Sequence, residues 1–283
     1  MNYSLFRIIF FGLLAVFTAN GGQLVLDGTK DPLTVDGTQA RLSINEIILP
    51  SEFSDYFSVD LAETSSVSRG AQLTGASDSK LGLLSFWMKM NASSSDFSRY
   101  QVIRWSNGYV DIHRGDNGEF QITGFTSVAQ KVLDIFSSNN SIRKVDGWVH
   151  VLASWDLATT TTHLYINGVS DITISAAIDG AINYTVTNVW VGTNGSGSFT
   201  MDGLFCEFYF TNEYLDISSS ANREKFRTSG GKPVDLGADG STPTGTAPWI
   251  YLREEVPAWE SNQGSGGGMT EAGTIADGGA DKP

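Results

Sequence analysis

Retaining hydrolysis of a glycosidic bond needs two carboxyl groups about 5 to 5.5 Å apart, one as acid and one as nucleophile. In this chain of 283 residues the nearest candidates are Asp202 and Glu207. Strand alternation places them on opposite faces of a sheet, and Asp202 stands beside Gly203 in a turn-like setting. No other strand-like run carries acids in alternation, so the residues do not spell a paired-carboxylate hydrolase. The three histidines, His113, His150 and His163, each fall in a strand-like run opposite apolar neighbours. Such a histidine reads as a solvated or hydrogen-bonded side chain rather than a base or a ligand. Gly195-Ser196-Gly197-Ser198 lacks the strand-to-helix setting of a nucleophile elbow. No His-x-x-x-His or Cys-x-x-Cys spacing suggests zinc, and Gly264 to Gly268 lacks the Lys-Ser/Thr of a phosphate loop.

Sugar rings are held by planar aromatic faces set beside polar hydrogen-bonding groups. Two clusters offer that combination: Trp105 with Ser106, Asn107 and Tyr109, and Trp190 with Thr193 and Asn194. The same tryptophans could equally fill a core. The single cysteine, Cys206, cannot form an internal disulfide, and its place in the alternation Leu204, Cys206, Phe208, Phe210 suggests an inward-facing small hydrophobe rather than a reactive thiol.

The elements that must position these groups are strands. Trp148 to Gly168 holds two of them: Val149, Val151, Ala153 and Trp155 alternate with His150, Leu152, Ser154 and Asp156, then a polar turn leads to Leu164 and Ile166 and closes on Asn167-Gly168. Further strands are expected at Tyr56 to Leu61, Ala71 to Leu73, Leu83 to Met90, Gln101 to Trp105, Tyr109 to His113, Phe120 to Gly124, Asn188 to Gly192, Leu204 to Phe210 and Pro248 to Tyr251. Asn107-Gly108, Asn117-Gly118 and Asp146-Gly147 supply turns between them. Many strands with almost no helical periodicity indicate an all-β, two-sheet antiparallel jelly-roll sandwich. One short helix is expected around Ser220 to Thr228.

Four segments follow. Residues 1–22 are apolar from Ile8 to Phe17, too short to cross a bilayer as a helix, and read either as a signal peptide or as an uncleaved arm packing on a neighbouring subunit. Residues 23–52 resemble a small β adaptor, with strands at Leu24 to Leu26 and Ile44 to Leu49 and turns at Asp27-Gly28 and Asp36-Gly37. Residues 53–253 form the sandwich. Residues 254–283, glycine-rich and acidic, are expected to be a flexible tail or one ordered only against a partner. The net charge of −13 repels phosphate backbones, and no basic run overrides it, so nucleic acid is not an expected partner. No membrane span is expected. With 41% apolar residues and 7 Trp, 16 Phe and 9 Tyr, there is ample material for a large core.

The Trp148 to Gly168 stretch is similar to the laminin-G and pentraxin-like branch of the concanavalin A-like lectin/glucanase superfamily, whose strand W-x-x-V-A-x-x-x-D precedes L-Y-x-N-G. The counterparts are Trp148, Val151 or Ala153, Asp156, Leu164, Tyr165, Asn167 and Gly168. Leu84 to Lys89 and Met201 to Phe210 resemble two flanking family strands, and the likeness covers roughly Phe53 to Leu252. Asn222 to Phe226, Gly230 to Gly237 and Ser241 to Gly245 resemble the closing region of such domains in tailed-bacteriophage virion proteins. The resemblance implies a non-enzymatic virion component, a tail, fibre or decoration subunit making contacts with other virion subunits as a homo-oligomer and attaching to host-surface glycans. The alternatives are a secreted lectin-like adhesion module and, less favoured, a polysaccharide hydrolase. No cofactor is required. Calcium, which this family often holds on rim loops, would fall to Asp116, Asn117 and Asp202, though Asp and Asn are also simply good turn formers.

Overall fold

In the computed structural model, residues 56–62 and 64–283 are described in full, and within the first 55 residues the backbone of five short strands. The chain divides into two compact units, Met1–Glu52 and Phe53–Pro283. In the first, Phe6–Phe10 pairs antiparallel with Leu13–Phe17, and Ala19–Asn20, Gln23–Leu24 and Leu33–Thr34 form a small ladder. The expected strand Ile44 to Leu49 and the two Asp-Gly turns lie outside the described residues.

Among its described residues the second unit has sixteen strands. They are β1 (Ser58–Leu61), β2 (Ser66–Arg69), β3 (Leu81–Met90), β4 (Tyr100–Trp105), β5 (Val110–Arg114), β6 (Phe120–Phe125), β7 (Lys131–Phe136), β8 (Val149–Asp156), β9 (Thr161–Ile166), β10 (Val169–Ser170), β11 (Ile174–Ala177), β12 (Val189–Val191), β13 (Gly203–Thr211), β14 (Ile250–Leu252), β15 (Thr270–Ala272) and β16 (Ile275–Asp277). One sheet runs β11-β7-β6-β5-β4-β12-β2-β15 and the other β10-β9-β8-β3-β13-β1-β16, with β14 also paired to β13. Every pairing is antiparallel, and the two sheets make the jelly-roll sandwich that the alternation of apolar residues predicts. A one-turn α-helix, α1 (Ser220–Arg223), follows Ser219, inside the helical span expected from the sequence.

The inner faces meet over an aromatic core. Phe86 packs against Phe205 and Phe208, at centroid distances of 5.7 and 5.5 Å, and Trp105 lies 4.9 Å from Phe210. Val149, Val151, Ala153 and Trp155 of β8 face this core as their alternation requires. The opposite face of β8 is buried as well. Leu152 joins Leu83, Tyr209, Ile217, Phe226, Leu236 and Tyr251 in a second apolar cluster, and Ser154 Oγ donates to the Leu215 carbonyl oxygen at 2.8 Å. The segment after β13 therefore roofs the outer face of this sheet.

Four sequence expectations are corrected. The strand placed at Ala71 to Leu73 lies earlier, at β2, whose Ser-Val-Ser-Arg offers one apolar residue as a signal. Strands β7 and β11 were not expected; β7 buries Val132, Leu133 and Ile135 on both faces, which erases its alternation. Cys206 is buried, but not through the expected alternation. A β-bulge between Cys206 and Tyr209, with Glu207 at φ 50°, reverses the parity, so Phe205, Phe208 and Phe210 join the main core while Cys206 does not. Burial pushes the Cys206 thiol well up, consistent with an inert side chain.

The fourth correction concerns residues 254–283, which are folded onto the sandwich rather than forming a flexible tail. Trp259 is buried in the main core with Met269 and Ile275. Strand β15 pairs with β2 and β16 with β1, one closing strand for each sheet. Asp281 pairs with Lys89, accepts from Trp148 Nε1 at 2.9 Å, and offers its carbonyl oxygen to Ser58 Oγ at 2.7 Å. Three well-placed apolar side chains and two ladders offset an ordering cost that composition alone makes prohibitive.

Candidate functional site

The exposed face of the β4–β5–β12 sheet carries the polar scaffold of the site. Register puts Arg104 between Asp111 and Trp190, and Trp190 next to Ser68. Asp111 gathers this row. It accepts from Arg99 Nη2 at 2.8 Å on both oxygens, from Arg104 Nη1 at 2.9 Å and from Gln101 Nε2 at 2.9 Å, and it lies 3.1 Å from His113 Nδ1. Burial alone would raise the Asp111 carboxyl; the hydrogen bonds from His113 and Gln101 and the charge of Arg99 outweigh it and hold the group well below the usual carboxylate range.

Arg99, anchored in this way, lies with its guanidinium 5.1 Å from the centre of the Phe199 ring. Phe199 is 49% exposed and has a left-handed backbone, φ 57°, while its carbonyl accepts from the Gln101 amide at 2.7 Å. A bulky residue held there is an outlier, and such strain concentrates at binding sites. Phe97, 83% exposed, stands on the same cleft. The cleft has a volume of about 480 Å³ and is lined by Phe97, Arg99, Tyr100, Asp116, Phe199 and Thr200, among others. It shares Thr64, Gly197 and Thr200 with a neighbouring hollow of about 350 Å³ that reaches Ser66, Ser68 and Trp190. The two form one polar groove with aromatic faces.

Of the expected glycan-binding residues, Trp190 lines this groove and Asn194 braces the loop beside it. The half-buried Trp190 ring lies under Gly195, where a Cβ would come within 2.6 Å of the indole. Asn194 Oδ1 accepts from the Ser196 amide at 3.0 Å, Ser196 Oγ at 2.8 Å and the Ser198 amide at 3.2 Å, fixing the loop that ends at Phe199. The other cluster does not assemble. Trp105 is fully buried against Tyr184 and Phe210, leaving Asn107 exposed at φ 57° and Tyr109 half-buried, its hydroxyl donating to the Ser127 carbonyl at 3.4 Å. Phe97, Arg99 and Phe199 were not expected as site residues. Their signal was a lone phenylalanine inside each of two otherwise polar loops, Ser93 to Ser98 and Asn194 to Thr200.

The expected calcium ligands are separated by environment. Asp116 and Asn117 sit exposed in the β5–β6 turn, where Asn117 donates its amide to Glu119 Oε2 at 2.9 Å. Asp202 is buried and takes hydrogen bonds from Asn91 Nδ2 at 2.9 Å, Ser93 Oγ at 3.0 Å and Ser94 Oγ at 3.1 Å. Its oxygens face donors, not other acceptors, which makes it an anchor for the loop after β3. Among the described residues no group of three or more His, Cys, Asp or Glu side chains is arranged to hold a metal ion.

The remaining titratable candidates are tied down. Glu207 lies under the roof, accepting from Tyr251 Oη at 2.6 Å, and burial lifts its carboxyl to about 7. His150 is buried against Trp87 and shares a 3.0 Å hydrogen bond with Ser85 Oγ; desolvation, then the charge of Arg227, lowers it to about 3. His163 shares a 3.2 Å hydrogen bond with Tyr214 Oη.

Residues 70–217 match the family model Laminin_G_3, concanavalin A-like lectin/glucanases superfamily. The chain belongs to this family. No curated protein matches it. Among solved structures it resembles an inferred carbohydrate binding protein from Bacteroides ovatus, at 13% identity and a TM-score of 0.56, covering 81% of this chain; the chain spans 62% of that protein's length. It is also similar to a heptameric SAP-like pentraxin from Limulus polyphemus, at 12% identity and a TM-score of 0.45 over 79% of this chain and 95% of that one. A third likeness is to the CBM40 of a Ruminococcus gnavus IT-sialidase bound to α2,3-sialyllactose, at 13% identity and a TM-score of 0.41 over 57% of this chain and 93% of that one. The first supports the sandwich fold. No helix among the described residues is long and apolar enough to cross a membrane.

Proposed function

We propose that the sandwich is a glycan-binding module without catalytic activity, and that the groove between Phe97, Phe199 and Trp190 receives the sugar. The observation that carries this reading is Phe199, an exposed ring held on a left-handed backbone and backed by an arginine that Asp111 fixes in place. Sugar C–H faces stack on such rings, while Arg99, Asp116 and the Ser66, Ser68 and Thr200 hydroxyls supply hydrogen bonds. Asp202 and Glu207, each bound to its own donors in a different setting, support the non-catalytic part of the reading. The carbohydrate binding assigned to the Bacteroides ovatus protein agrees with it.

The test is a glycan array probed with the full chain and with Phe199→Ala. Binding to one glycan class should fall at least about tenfold in the variant, as loss of a stacking face plus an ordered arginine implies. An unchanged array profile with an intact fold would sink the assignment.

The setting we propose is the surface of a tailed-phage particle, as a tail, fibre or decoration subunit in contact with copies of itself and other virion proteins. The resemblance of Asn222 to Gly245 to virion domains supports it. A secreted adhesion module is the second reading, favoured by the apolar run Ile8 to Phe17. Immunogold labelling of intact particles separates the two, because only a virion subunit decorates the particle.

A further inference from the structure

A second cleft lies on the far side of β8, between that strand and the loop after α1. It measures about 130 Å³ and is lined by His150, Gly168, Ser220, Arg223, Glu224 and Arg227, with Thr228 and Ser229 at its rim. Arg227 is the unusual member. None of its guanidinium nitrogens has a hydrogen-bond acceptor or ion-pair partner among the described residues, and its Nε is buried. The guanidinium passes between two glycines with left-handed backbones, Gly168 (φ 80°) and Gly231 (φ 82°), where a Cβ would come within 3.2 Å of Nη1 and 2.7 Å of Nη2 respectively. Arg223 is half spent: its Nη1 donates to the Ile217 and Ser218 carbonyls at 2.7 and 2.8 Å, and its guanidinium stacks 4.5 Å from the Tyr165 ring. Glu224, the one carboxylate on the lining, forms no ion pair with either arginine.

A partly desolvated guanidinium with no acceptor is costly, and proteins pair such groups. In a chain of net charge −13, two arginines facing one small cleft form a local exception to the overall field. We propose that this cleft is an oxyanion site: Arg227 presents its planar fork to the carboxylate, sulfate or phosphate group of a small ligand, with Ser220, Thr228 and Ser229 as hydroxyl donors and Arg223 as the second charge. The fork geometry suits bidentate contact with these groups. The volume is that of roughly four waters, enough for the charged end group and too small for a sugar ring. The site does not depend on the glycan reading of the opposite sheet. It gives the Gly230-Gly231 turn a role: a side chain at Gly231 would displace the guanidinium.

The experiment follows the Arg227 Nε–Hε resonance of the ¹⁵N-labelled full chain, assigned by its loss in Arg227→Lys. Sodium glucuronate, sodium sulfate and sodium phosphate are titrated in turn against sodium chloride at matched ionic strength. A saturable shift with at least one of the three and not with chloride is expected, and which salt saturates identifies the group. Arg227→Lys should weaken binding about tenfold by losing the fork, and Glu224→Gln should tighten it about two- to threefold by removing a repelling charge. Should Arg227→Lys fail to fold, the resonance is assigned through its scalar coupling to the Arg227 Cδ protons, and the wild-type titration and Glu224→Gln carry the test. The proposal is overturned by a shift with chloride equal to that with the oxyanions, by no saturable shift at all, or by unchanged affinity in a folded Arg227→Lys.

Discussion

Glu207 on β13 and His150 on β8, two strands apart in one sheet, are both buried, and burial moves them in opposite directions. Below its ordinary 4.5 the Glu207 carboxyl is protonated in folded and unfolded chains alike; between 4.5 and about 7 only the unfolded chain releases the proton, so stability falls as pH rises through that window. His150 has the reverse effect: between its ordinary 6.5 and about 3 only the unfolded chain takes up a proton, so stability falls as pH drops. From pH 4.5 to 6.5 the two slopes oppose. His163, also lowered by burial, adds to the His150 slope, so the wild type should lose stability on acidification from pH 6.5 to 5, and Glu207→Gln should lose it more steeply over the same range. Parallel curves for the two proteins in urea titrations would contradict the raised carboxyl. None of this could be read from the sequence, because alternation in Leu204 to Phe210 conceals the bulge that turns Glu207 under Tyr251. Of the two aromatic clusters legible in the sequence, one leaves Trp190 half-buried on the groove, whereas Trp105, with similar neighbours, is drawn inward by Tyr184 and Phe210.

At the level of elements, strands with clean alternation were the legible ones, β3, β8 and β9 above all. Those left out were short, polar or buried on both faces: β2, β7 and β11. The closing strands β15 and β16 were hidden by glycine and acid content, although Trp259, Met269 and Ile275 lie at the positions that fix them. Trp259 sets the size of that effect. Its side chain is 1% exposed, so Trp259→Ala should cost about 3 to 5 kcal/mol in denaturant unfolding. A loss under about 0.5 kcal/mol, the range of a surface substitution, would mean that the segment contributes nothing to the core.

For the molecule as a whole, the fold class was legible from composition and turn spacing, and the groove was not, since it is assembled from loops that lie a hundred residues apart in the chain. The two sheets end at β15 and β16, and each covers a strand whose backbone would otherwise be open to another chain. A chain ending at residue 268 leaves β2 and β1 as bare edges. It should associate in light scattering at concentrations where the full chain keeps its original size, and a chain that keeps that size would show that neither edge needs its cover.

That arrangement has a consequence for synthesis. β1 and β2 leave the ribosome early, while their partners follow some two hundred residues later, an interval of roughly 10 to 40 s at ordinary elongation rates. Throughout it the nascent polypeptide carries two unpaired seams, so any product released early is left adhesive and conspicuous to chaperones and proteases. The arrival of β15 and β16 thus acts as a check that the sandwich is complete.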